Sequence, residues 1–334
     1  MEKSNLQMFR TEVQLPPSQL QLTLQDRVLT IGSCFAEVIG TKLTKNKVPA
    51  LVNPFGTIFN PLSACLLLEA ALGKEYDFEE HLVQHNGIWY AYDLHSSVSS
   101  PDKAELLRLI RDRLQLTGEQ LKQARLLIFT VGTAVGYSLA ETGELVANCH
   151  KLPARQFTRT LLPPEVIVTA FNNLYDRLQQ FNPEIQVLLT VSPVRHIKET
   201  IEINSVSKSV LRLACHQLKE AHAGVHYFPA YEIMLDDLRD YRFYKRDMVH
   251  PTDVAEDYIW QKFLHAYYHP DFYTFTQEWE KIRRALAHKP FHPHTEAHQA
   301  FLKNTIQQVQ QLEKKYQLNA SAEIQQLEDQ RLPF

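Results

Sequence analysis

Short apolar runs recur along this chain with helical segments between them, and no other feature constrains the fold as much. The runs are RVLTIG (27–32), VPALV (48–52), RLLIFTV (125–131), IQVLLTV (185–191) and VHYFP (225–229). Most are continuously apolar rather than alternating, which suits strands buried on both faces. Helical spacing follows in 35–46, from Pro61 through PLSACLLLEAAL, in 102–116 with an apolar stripe at Leu106, Leu107, Ile110 and Leu114, from Pro163-Pro164 through Gln180, in 204–222 and in 252–267. Strand–helix alternation of this kind predicts an α/β fold with a parallel sheet covered on both faces. Ligands of such sheets bind beyond the carboxyl ends of the strands. The polar residues at those ends are Ser33, Asn53, Gly132-Thr133 and Ser192-Arg195-His196.

Two stretches depart from the alternation. Residues 75–100, rich in aromatics and histidine, read as an insertion or loop over one end of the sheet. From about residue 270 the chain turns charged and Gln-rich, with helical segments at 276–287 and 294–316 around the break KPFHPH. The expected organisation is an α/β domain over 1–270 and a helical C-terminal extension over 271–334. The stripe Ile306, Val309 and Leu312 reads as a packing face, against the domain or a partner, so an oligomer through these helices is one expectation.

The 334 residues suffice for a full hydrophobic core, and 44% hydrophobic with 22% charged residues is ordinary for a globular chain. A net charge of −3 gives no field that favours nucleic acid or an anionic membrane. The longest mostly apolar stretch, Leu126 to Ala140, is too short and too interrupted for a membrane span. The N-terminus shows no apolar signal-peptide core, and Cys34, Cys65, Cys149 and Cys215 form no C-x-x-C pair. A cytoplasmic protein with reduced thiols is therefore expected. The 15 histidines are scattered, and no metal site or cofactor is expected.

Chemistry concentrates in two motifs. In TIGSCFAE (30–37), Ser33 lies directly after a strand and a glycine and directly before a helix. A hydroxyl there can project from the sheet edge, with the helix N-terminus favouring a developing oxyanion. Ser33 can equally be a plain helix cap. Cys34 is a rival nucleophile, since a helix N-terminus lowers a thiol pKa. In DMVHPTD (247–253), Asp247 and His250 are three apart and can face the same way, the carboxylate holding one ring nitrogen and leaving the other free as a base. A loop leading into a helix, with an incidental Asp and His, is the plainer reading.

Together with NPFGTIFNP (53–61), FTVGTA (129–134), NCHKLP (148–153) and TVSPVRH (190–196), the string Gly32-Ser33-Cys34-Phe35-Ala36 resembles the GSCFA family, part of the SGNH (GDSL-like) hydrolase superfamily, over roughly 20–270. The resemblance implies a three-layer α/β/α flavodoxin-like fold and a triad of Ser33 as nucleophile, His250 as general base and Asp247 orienting it. It implies an oxyanion donor at Gly56. The superfamily's asparagine after the third strand is missing, because the chain reads Gly132-Thr133-Ala134 there, and Ile31-Gly32 replaces the usual Gly-Asp before the serine. Asn148 is the candidate replacement donor, with Thr133 or the Gly132 backbone behind it; Asn148 can equally be a turn residue. His150 and His196 are candidates to line the pocket or bind substrate, with Arg195 as an anion clamp. Trp89, Tyr90, Tyr92 and His95 could wall the site, although core packing is the default for such residues.

The implied activity is a serine esterase acting on a small-molecule or glycan ester, on sugars, cell-wall material or lipids. A ligand-binding protein with a degenerate cleft and an O-acyltransferase are the alternatives.

Overall fold

The computed structural model describes residues 10–331. The chain divides into two compact units: the described part of Met1–Gln14 with Asp26–Thr44 and Val48–Lys262, and Leu15–Gln25 with Lys45–Lys47 and the described part of Phe263–Phe334.

In chain order the elements of the first unit are β1 (Val28–Gly32), α1 (Cys34–Lys45), β2 (Ala50–Val52), α2 (Pro61–Ala71), β3 (Leu82–His85), β4 (Ile88–Ala91), β5 (Ser99–Ser100), α3 (Lys103–Gln123), β6 (Leu126–Val131), β7 (Val135–Leu139), β8 (Leu145–Val146), β9 (Phe157–Leu161), α4 (Pro164–Phe181), β10 (Gln186–Val191), α5 (Ile201–Ala221), β11 (Val225–Tyr227), the short α6 (Ala230–Glu232) and the start of α7 (Asp253–Tyr267). The central sheet runs β11-β10-β6-β1-β2 and is parallel throughout. Counting only its own strands from the N-terminus, that order is the flavodoxin-like 2-1-3-4-5, whose switch point falls where the first and third strands part. Here it lies between β1 and β6, with Gly32 opposite Thr130 in register.

Helices cover both faces. Leu29, Ile31, Leu127, Phe129, Val131, Val187, Leu189 and Val191 pack with buried residues of α2, α3, α4 and α5 in one core. On the opposite face α1 lies so close that a Cβ at Gly40 would stand 2.6 Å from a Val52 methyl carbon. Lys42 of α1 pairs with Asp257 of α7 on that side. Local signals start the helices: Asn60 accepts from Leu62 N–H at the head of α2, Asp102 from Glu105 N–H at α3, and Thr200 from Ile203 N–H at α5.

Two antiparallel sheets accompany the central one, β3-β4-β5 and β8-β7-β9. Residues 75–100 are thus a structured insertion rather than a loop. Asn86 and Gly87, at φ 51° and 78°, make the two-residue turn between β3 and β4, with His85 opposite Ile88.

In the second unit, α8 (Pro270–Ala287), α9 (Glu296–Tyr316) and α10 (Ser321–Glu328) pack together, and Lys315 and Tyr316 both reach the Glu278 carboxylate. Leu15–Gln25 joins them through a bridge of Leu22 to Tyr268, a grouping that composition did not suggest. Among the described residues no helix is long and apolar enough to cross a membrane, and no group of three or more His, Cys, Asp or Glu is placed to hold a metal ion.

Candidate functional site

Ser33 follows directly on β1 and is only 1% exposed. Its backbone is fixed from both sides: its N–H donates to Thr130 O at 3.1 Å, and its carbonyl accepts from Ala36 N–H at 2.8 Å. Gly32 makes this turn possible. It has φ 130°, and a Cβ there would lie 2.0 Å from Thr130 O. Ser33 Oγ accepts from Phe35 N–H at 3.3 Å, so the helix-cap reading of this residue holds. A cap only accepts, and the hydroxyl proton stays available to a base.

Asp247 and His250 meet as the spacing predicts. His250 Nδ1 lies 2.7 Å from Asp247 Oδ2, while Asp247 Oδ1 accepts from the N–H groups of Val249 and His250 at 2.9 and 3.0 Å. Those backbone donors, with the imidazole behind them, pull the Asp247 pKa down to about 2. His250 Nε2 has no hydrogen-bond partner among the described residues. The loop is a tight bight: Lys245 N–H donates to His250 O, Thr252 N–H to Phe243 O, and Tyr244 bridges Pro251.

This loop is tied to the carboxyl edge of the sheet, where Ser33 also lies. Arg195, just beyond β10, donates its N–H to Val249 O at 3.2 Å and a guanidinium N–H to Met248 O at 3.1 Å. Its guanidinium stacks 3.9 Å from the centre of the Tyr244 ring. The expected anion clamp is therefore a strut for the histidine loop, with its planar face, its backbone N–H and one guanidinium donor engaged there. No hydrogen bond joins Ser33 Oγ to His250 in this conformation.

The expected oxyanion donors fare differently. Gly56, at φ 74°, donates its N–H to Asn53 O at 2.8 Å within its own turn. The N–H groups of Gly132 and Thr133 both go to Phe59 O, at 3.0 and 3.1 Å. Thr133 Oγ1 faces Ser207 Oγ at 3.1 Å and accepts from Val135 N–H. Asn148 Oδ1 accepts from His150 N–H at 2.9 Å, which is the turn role weighed above, and its side chain reaches a cavity. None of these backbone donors is free: Gly56 is satisfied within its own turn, and Gly132 and Thr133 by the loop after β2.

That cavity, about 380 Å³, is lined by Phe59, Thr133, Tyr137, Asn148, His196 and Lys198 among others, with no carboxylate on its wall. His196 stands edge-on to Phe59, with Nδ1 3.4 Å from Glu199 Oε2, and burial lowers its pKa. Glu199, which also accepts from Tyr137 OH at 2.7 Å, escaped the reading of the sequence. His150 is not a ligand-binding group. Its Nδ1 meets Ser96 Oγ, its Nε2 donates to Ala91 O at 2.8 Å, and it stacks on Tyr90, which makes it a buried pin between β4 and the 148–153 turn. Trp89 and Tyr90 belong to β4, and Tyr92 accepts the backbone N–H groups of Ala147 and Asn148. The Cys34 thiol has its pKa raised, not lowered, because burial outweighs a backbone hydrogen bond and the nearby charge of Lys208.

Another residue the sequence reading passed over is Lys208. It is 1% exposed, and its Nζ donates to Gly132 O at 2.8 Å and Ser192 O at 2.7 Å, joining the ends of β6 and β10. A signal existed: Asn204, Ser207, Lys208, Leu211, Ala214, Cys215 and Leu218 form the buried stripe of α5, so this lysine occupies a core position of an amphipathic helix.

Among known proteins, the GSCFA family matches residues 27–263, and the family described as GSCFA domain protein, C-terminal domain, matches 279–331. A family 3 carbohydrate esterase from Talaromyces cellulolyticus is similar at 7% identity and a TM-score of 0.34, over 77% of this chain and 99% of that one. No curated protein matches the chain.

Proposed function

We propose that this chain, which belongs to the GSCFA family over residues 27–263, is a serine hydrolase that cleaves an ester by two-step acyl transfer at Ser33. The reading is carried by the Asp247–His250 pair: a 2.7 Å bond fixes one ring nitrogen and leaves Nε2 open, on a loop strapped to Arg195 just beyond β10. In the first step His250 Nε2 takes the Ser33 proton as Oγ attacks the ester carbonyl, and Asp247 stabilises the imidazolium that forms. The tetrahedral oxygen lies toward the positive end of α1. His250 returns the proton to the departing alcohol, then activates a water that releases the acyl group. The reacting pair must close to about 3 Å, and such bonds are commonly long until substrate is bound. The element that moves is the 244–251 loop, since Ser33 is locked by the backbone. The largely apolar cavity beside Thr133 and His196 suits the acyl or alcohol part of the ester. A cytoplasmic setting fits the four free thiols.

The test is labelling by a fluorophosphonate probe together with hydrolysis of short-chain aryl esters. Wild-type protein should be labelled, and Ser33→Ala should not. Folded wild-type protein that is neither labelled nor active sinks the proposal. One observation favours a second reading, a ligand-binding protein: the Ser33 and Gly56 N–H groups, which would hold an oxyanion, are engaged by Thr130 O and Asn53 O. Saturable ester binding without turnover would support that reading.

A further inference from the structure

Lys208 is a buried ammonium with no ion-pair partner among the described residues. Its polar contacts are the carbonyls of Gly132 and Ser192, and Tyr231 of α6 lies under it with its ring centre 5.9 Å away. Removing an ammonium from water is costly, and two carbonyl oxygens replace only part of its hydration. Buried charges are ordinarily paired, so an unpaired one calls for a reason. A plain cross-strand tie does not need a full charge, since a neutral donor could reach the same carbonyls.

The surroundings supply the reason. Lys208 reaches the carboxyl ends of the third and fourth strands of the parallel sheet. The third strand also holds Ser33, through Thr130 O. Gly132 is two residues beyond Thr130, a rise of about 7 Å along the strand. The charge of Lys208 is felt by Cys34, at the start of α1 directly after the serine, and by His196 in the loop after β10. The titratable groups around it are thus Cys34, His196 and Tyr231, with Arg212 and His216 of its own helix lining the same pocket, and none is a carboxylate.

We infer that Lys208, when protonated, supplies the positive charge of the Ser33 site, a positioning residue that ties the ends of β6 and β10 and offsets the negative charge arising on the substrate when Ser33 attacks. This inference rests on Ser33 being the nucleophile. It accounts for the missing asparagine after β6 with a cation fed in from α5, and for the engagement of the nearby backbone N–H groups, which are then not the main source of stabilisation. Two unit charges roughly 7–10 Å apart, a separation of the order of that two-residue rise, correspond at an effective dielectric near 20 to a rate factor on the order of 10 to 50.

Burial lowers the Lys208 pKa to about 7. The charge is present below that value and lost as pH rises through it, so acylation should carry a descending limb just above neutrality.

The experiment is the second-order rate of fluorophosphonate labelling between pH 5 and 10, for wild type and Lys208→Met, with thermal melting alongside. The expected result is labelling of the variant slowed on the order of 10- to 50-fold at pH 6.5, with a folded melting transition and no alkaline limb. Equal rates and equal pH profiles in the two proteins overturn the inference while leaving Ser33 as nucleophile. Failure of wild type to be labelled at all removes the Ser33 reading, and this inference with it. Should Lys208→Met not fold, wild-type protein carrying [13Cε]lysine decides. The Lys208 resonance and its titration midpoint should move when Ser33 is phosphonylated, and an unmoved resonance overturns the inference.

Discussion

Ser33 and His250 reach the same sheet edge under opposite constraints. Ser33 is 1% exposed, between a strand and a helix, with its own N–H and C=O both bonded to the backbone. His250 rides on a surface loop with its side chain 42% exposed, and the loop is held down largely by the side chain and backbone of Arg195. The position of Ser33 is a property of the sheet; that of His250 is a property of a few contacts between loops. Damage to the first region should therefore unfold protein, whereas damage to the second should slow chemistry in protein that stays folded.

The harshest break of that contrast is Gly32→Ala. The new methyl would overlap Thr130 O at 2.0 Å in a backbone conformation that alanine rarely adopts. Strain and overpacking together should cost on the order of 3 kcal/mol or more, read as a lower midpoint in chemical denaturation. A wild-type midpoint would mean that the Ser33 turn is not locked by the sheet. Arg195→Met comes next. It should leave the denaturation midpoint of the sheet nearly unchanged and slow Ser33 labelling about 10-fold, the equivalent of a lost charge-assisted hydrogen bond and ring contact. Arg195→Lys should recover only part of the rate, because an ammonium cannot stack flat on Tyr244 while reaching Met248 O. The smallest effect belongs to Cys34→Ser. Burial keeps the thiol protonated, so labelling should change by less than about 2-fold; a collapse of labelling would make the cysteine, not the serine, the reacting group.

A pH experiment sharpens the contrast from the side of stability. Lys208 has its folded pKa lowered from 10.5 to about 7. The unfolded chain therefore binds more protons between those values, and stability should rise with pH through that window. Lys208→Met should lack that slope. The exposed Asp247 carboxylate, held down to about 2, adds no pH dependence near neutrality.

How far the sequence went can be judged residue by residue. The five parallel strands were readable because β1, β6 and β10 are continuous apolar runs, and burial on both faces leaves no other pattern. Asp247 and His250 could be paired from their spacing, because three residues of chain hold both side chains within one turn. The β3–β4 hairpin was missed although Asn86-Gly87 announces it, since the flanking strands are only half-buried and mix aromatic with polar residues. Gly56 was given a free N–H that its own turn had already taken, and Arg195 a ligand where the fold supplied a tyrosine and a carbonyl.

By itself, then, the sequence determined the layered α/β fold, the glycine-to-serine turn at the end of the first strand and the Asp–His pair, since each depends on residues near one another along the chain. Only the tertiary structure decided which donors stay free, what Arg195 holds, that His150 is a pin and that Lys208 ties the ends of β6 and β10. Those outcomes depend on which loops meet at the sheet edge, and a hydrogen-bonding group is committed by the partners the fold places within its reach.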